Sequence, residues 1–115
     1  MKLSEKCVLY DVAVIDGNGN EPREHQAILL KDGMIEEIVS IENLSQSDQS
    51  DYQVVDLSGK YVMPGMIDAH THLCGAIADL IAESFEDVIM QALRSVPQAQ
   101  TLLCHGFTGV RDLSV

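Results

Sequence analysis

Basic residues are scarce in this chain: seven Lys and Arg stand against eighteen Asp and Glu, a formal net charge of −11 over 115 residues. A field of that sign repels nucleic acid and anionic membrane surfaces, so neither is an expected partner. The acids are dispersed rather than gathered in a tail, which reads as a solvated surface. No apolar run approaches the ~20 residues that span a bilayer. The N-terminus shows no secretory pattern either, because Lys2, Glu5 and Lys6 interrupt it before an apolar stretch can form. Cysteine is sparse, odd in number and scattered. Cys7, Cys74 and Cys104 therefore fit reduced thiols and a cytoplasmic location better than a disulfide framework or a thiolate metal site.

What is present is an apolar share of 46%, which excludes a disordered chain and supplies one modest core. Residues 7 to 57 read as short strands and turns. Val8–Ile15 is β-branched and aromatic, and it stops at Asp16-Gly17-Asn18-Gly19-Asn20, residues that tolerate positive φ. Gln26–Lys31 and Met34–Val39 flank Asp32-Gly33, the signal for a two-residue type I′ hairpin. Ser45–Asp51 is wholly polar and reads as a surface loop, and Gln53–Leu57 as a further strand. Tyr61–Gly65 reads as an extended link stiffened by Pro64.

From there the pattern changes. Met66–Leu73 reads as a strand. Ser84 is the expected N-cap of a helix with Asp87 in its first turn and Phe85, Val88, Ile89, Ala92 and Leu93 on one face. Pro97 is expected to end that helix and open a second, which holds Ala99, Leu102 and Leu103 and is capped by Gly106. Phe107–Asp112 reads as another strand. Strand, helical crossover and strand make a βαβ unit with parallel strands and a right-handed crossover. The expected division is a β-rich module at 1–63 and the start of an α/β domain at 64–115.

In a strand, residues two apart share a face, so Asp68, His70 and His72 are expected together. Two imidazoles on one strand can each offer a nitrogen to a single divalent ion, Zn²⁺ foremost, with Fe, Mn or Ni also suited. His-x-His alone is a weak signal. Its position sharpens it: the pair follows Pro64-Gly65, sits late on an apolar strand and precedes a helical crossover, and barrel enzymes gather functional groups at the carboxyl ends of their strands.

The segment Pro64-Gly65-Met66-Ile67-Asp68-Ala69-His70-Thr71-His72-Leu73 resembles the first barrel strand of the amidohydrolase superfamily. The preceding hairpins, Lys31-Asp32-Gly33-Met34-Ile35 among them, resemble that superfamily's N-terminal β-sandwich segment. Gly106-Phe107-Thr108-Gly109-Val110-Arg111-Asp112 resembles the second barrel strand of its imidazolonepropionase-like and prolidase-like branches. The resemblance implies a partial β-sandwich followed by the first βαβ unit of an incomplete (β/α)₈ barrel of the TIM type. It also implies one or two divalent metals and a metal-activated water that attacks an amide-like or cyclic amide carbonyl in a small-molecule or dipeptide-like substrate. On that pattern His70 and His72 are metal ligands. The family's bridging carboxylate, further histidines and general-base aspartate have no position in this sequence, and a complete barrel takes ~250 residues. The expected activity is therefore that of a metal-dependent hydrolase of which this chain is an N-terminal portion, inactive alone.

Other residues admit two readings. Asp68 either orients a ligand histidine as its outer partner or serves local hydrogen bonds. Cys74 is a ligand or nucleophile in one reading and a small buried residue in the favoured one. Asp112 ends its strand near the barrel mouth, with structural pairing the safer reading, and His105 suits a helix C-terminus. A non-catalytic binding or assembly module, a homo-oligomer among them, is the alternative function, since unpaired barrel strands leave edges and apolar surface open. A truncated gene product without function is a third reading.

Overall fold

The computed structural model describes residues 4–75, 81–82 and 85–113. The chain forms two compact units, Met1–Pro64 and Gly65–Val115.

The first unit is a five-stranded sheet. Strands β1 (Lys6–Val14), β2 (Arg23–Lys31) and β3 (Met34–Ser40) form an antiparallel meander, and β4 (Gln53–Asp56) joins the other side of β1 in parallel. The β2–β3 connection is the expected hairpin: Asp32 and Gly33 have φ of 51° and 79°, and Lys31 pairs with Met34. Two positions depart from the sequence reading. Tyr61–Val62, expected as a link, is β5 and pairs in parallel with Ala13 and Val14. The polar stretch after Leu44, expected as a loop, contains a short helix, α1 (Gln46–Asp51). A parallel β1–β4 pair needs a crossover from the far edge of the sheet, and this segment supplies it. Its ends carry the apolar anchors: Leu44 is buried with Val8, Ala27 and Leu29, and Tyr52 packs beside them.

The opposite face of the same sheet holds Val12, Val14 and Ile28, with Leu9 and Leu30 against them. Val8 and Val12 thus lie on different faces although four residues apart, which simple alternation forbids. The cause is a bulge. Between Leu9↔Ile28 and Val12↔Gln26 the ladder gains one residue on β1, and between Val12↔Gln26 and Val14↔Arg23 it gains one on β2. Asp11 (φ 55°) and His25 (φ 52°) sit at the two slips in the left-handed region, and each bulge turns the side chains beyond it.

The second unit is a parallel pair, β6 (Met66–Thr71) and β7 (Phe107–Asp112), connected through α2 (Val88–Cys104), which packs on β7. The helix begins at Asp87, whose carboxylate accepts from the Ile89 N–H at 2.8 Å, and Ser84 lies outside the described residues. Pro97 does not divide it, contrary to expectation. An internal proline removes one donor and costs ~3 kcal/mol. Strong helix formers on both sides and the packing on β7 outweigh that cost. The end is as expected: Gly106 takes φ 90°, and its N–H donates to the Leu103 carbonyl at 3.0 Å. Arg94 grips Glu86 with both guanidinium branches, fixing the chain just ahead of the helix.

Candidate metal centre

Strand β6 follows Pro64-Gly65 and runs beside β7. Met66 N–H donates to the Gly106 carbonyl at 2.9 Å, which ties the start of β6 to the end of α2. Gly65 is required by proximity: a Cβ there would lie 2.7 Å from Thr108 Cβ and closer still to its Oγ1 and Cγ2. Thr108 is itself the extra residue where β7 slips between Met66↔Phe107 and Ile67↔Gly109. A compensating slip lies higher, between Asp68↔Val110 and Thr71↔Asp112, where Ala69 and His70 stand opposite Arg111 alone. Bulges are rare in parallel pairs and common beside functional sites.

His70 lies in that bulge and His72 one residue past the strand. Their rings meet edge to face with centroids 5.3 Å apart and planes at 62°. Nε2 of His70 is 3.3 Å from Nε2 of His72. That is hydrogen-bond distance for a ring N–H of one and the ring nitrogen of the other. The same spacing suits a shared ion: two nitrogens each ~2.0–2.1 Å from one tetrahedral Zn²⁺ stand about 3.3–3.4 Å apart. The pair therefore fits the metal that the sequence motif suggests, and both rings are exposed, open to an incoming ion.

The surrounding residues contribute less. Asp68 accepts from the backbone N–H of His70 at 3.1 Å. Cys74 is half-buried, and Asp112 pairs with Thr71 on the ladder. His105 caps α2, its Nδ1 donating to the Thr101 carbonyl at 2.7 Å. Among the described residues no group of three or more His, Cys, Asp or Glu converges, and two nitrogens are half of what a tetrahedral ion takes. The bulge at Ala69–His70 had no signal in the sequence. Nor did the Asp11–His25 contact, since His25 stands in an unremarkable polar stretch.

The sequence pattern of the amidohydrolase family matches residues 53–111, just over half of the chain, and takes in both histidines. The chain belongs to the amidohydrolase family. Imidazolonepropionase of Clostridium tetani is 38% identical over 58 residues, covering 50% of this chain and 14% of that protein. Dihydroorotase of Caldanaerobacter subterraneus subsp. tengcongensis is 44% identical over 68 residues, 59% of this chain and 14% of the relative. Among solved structures, a prolidase complexed with N-methylphosphonate-L-proline superposes with a TM-score of 0.80 at 32% identity, covering 93% of this chain and 25% of the prolidase. The chain thus spans about a seventh of these curated relatives and about a quarter of that solved structure. The chain is rich in sheet, with one long helix among the described residues. No helix among the described residues is long and apolar enough to cross a membrane.

Proposed function

We propose that this chain is the N-terminal portion of a metal-dependent amidohydrolase that hydrolyses a C–N bond in an amide, dipeptide-like or cyclic amide substrate. On this reading residues 1–63 are part of a β-sandwich and residues 64–115 begin a (β/α)₈ barrel, with the catalytic general base elsewhere in the protein. The observation that carries it is the 3.3 Å approach of His70 Nε2 to His72 Nε2 at the carboxyl end of β6, in a chain of this family. His70 and His72 would hold a divalent ion, zinc foremost, whose chemistry there would be to activate a water and polarise the scissile carbonyl. The chain's own contribution is to hold two imidazoles at one spacing, Nε2 toward Nε2. The acidic surface and the free cysteines support a cytoplasmic enzyme acting on small molecules, not on nucleic acid or membranes. The test is chelation of the full-length protein followed by zinc addition, with release of product measured on N-acyl amino acids, dipeptides and cyclic amides. Activity that disappears with chelation and returns with zinc is expected. Hydrolysis indifferent to the chelator would contradict the proposal.

One observation favours a second reading. Val88, Ile89 and Leu93 of α2 are 72%, 65% and 62% exposed, an apolar stripe that suits association. A non-catalytic assembly module would cover it with another chain, a second copy among the options. Light scattering on the isolated 115 residues separates the cases, since a monomer stable on dilution counts against assembly.

A further inference from the structure

Among the described residues, four aspartates accept a hydrogen bond from the backbone N–H two residues ahead. Three of them punctuate the fold: Asp16 with Asn18 in the turn after β1, Asp56 with Ser58 after β4, and Asp87 with Ile89 at the start of α2. There the short side chain does the usual work of a turn or cap. The fourth, Asp68 with His70 at 3.1 Å, lies inside a strand.

The register explains why a strand carries such a bond. Ala69 and His70 together face Arg111, so β6 holds one residue more than β7 between the Asp68↔Val110 and Thr71↔Asp112 pairs. A bulge leaves its extra residue without a ladder partner. The Asp68 carboxylate supplies an acceptor to the N–H of that segment, at the residue whose ring must meet His72. A bulge bends its strand locally and re-aims a side chain. The backbone at Ala69–His70 therefore sets how the His70 ring leaves β6, and with it the approach of its Nε2 to His72.

We propose that Asp68 is a positioning residue for the histidine pair: by accepting the His70 N–H it holds the bulge that sets the Nε2–Nε2 spacing. This rests on the metal-binding reading above. It assigns Asp68 a route to the site through the backbone rather than through an imidazole N–H. What matters is then the position of one acceptor oxygen, and the negative charge is secondary.

Two variants of the full chain separate these properties. Asp68→Asn keeps an acceptor oxygen in place and removes the charge, whereas Asp68→Glu keeps the charge and moves the oxygens a methylene further out. Zinc affinity is read by competition with a chromophoric chelator, and ligand geometry by the visible absorption of bound Co²⁺. Asp68→Asn is expected within about threefold of the parent with an unchanged Co²⁺ spectrum, and Asp68→Glu about 10- to 100-fold weaker with an altered one, the range that loss of an outer-shell partner produces. Parent-like affinity and spectrum in Asp68→Glu, or equal losses in both variants, would overturn the role. The doubly substituted His70→Ala/His72→Ala protein keeps the failures distinct. If it binds zinc like the parent, the metal reading itself falls. If it alone loses zinc, only the positioning role falls.

Discussion

Asp11 and His25 occupy opposing bulges of one strand pair, both in the left-handed backbone region, with His25 Nδ1 2.8 Å from Asp11 Oδ1. The hydrogen bond to Asp11, and then its charge, raise the His25 pKa above the ordinary 6.5. A group whose pKa rises on folding contributes stability that is complete below its unfolded pKa and disappears as pH climbs through the folded one. Denaturant midpoints should therefore fall in the parent as pH rises from about 6.5 through the raised His25 value. Asp11→Asn should flatten that slope. Identical slopes in the two proteins would show that the contact contributes nothing.

A methyl group at Gly65 would collide with Thr108, whose branched side chain has little rotamer freedom to yield. Gly65→Ala should destabilise the chain by about 1–3 kcal/mol, as overpacking does. Thr108→Gly in the same protein should recover part of the loss, because the two positions are in contact. Additive effects in a thermal double-mutant cycle would argue against the close approach.

Pro97 interrupts a helix that continues past it, so replacing it should help. Pro97→Ala is expected to stabilise by up to ~3 kcal/mol, the helix-interior difference between the two residues. Far-UV circular dichroism should show unchanged helix content. A loss of stability would mean that proline fixes a bend the packing of α2 on β7 requires.

The thiols should react in order of exposure. Cys104 is exposed, whereas Cys7 is 1% exposed and burial raises its pKa. The thiolate is the reactive form, so Cys104 should be alkylated in the native protein and Cys7 only on unfolding. Mass spectrometry of iodoacetamide-treated protein measures this, and early labelling of Cys7 would contradict the burial of β1.

Strands whose apolar residues face a core announce themselves, and so does a hairpin whose turn demands positive φ. Hence β1 to β4 and the Asp32-Gly33 connection were legible in the sequence. So was the pairing of β6 with β7 around a helical crossover. Bulges were not legible, because one inserted residue leaves composition and periodicity nearly unchanged while exchanging the faces of everything beyond it. Val12 and Val14 changed faces in this way, and His70 came to rest in a register break. The helix α1 was hidden because its own residues are polar and its anchors, Leu44 and Tyr52, lie outside it. Pro97 misled because local propensity was outweighed by the helix on either side. At the site, the sequence shows His70 and His72 two residues apart, and the structure sets their Nε2 atoms 3.3 Å apart. The sequence could not reveal that Asp68 acts on the backbone, since that bond depends on the bulge.

In the proposed reading His70 and His72 share one metal ion. The most direct measurement is the zinc content of the full-length protein after dialysis, compared with the His70→Ala/His72→Ala protein of matched fold. Bound zinc is expected in the parent, with affinity at least about tenfold lower in the variant, since two of the nitrogen ligands are gone. Equal zinc in both proteins would contradict that reading.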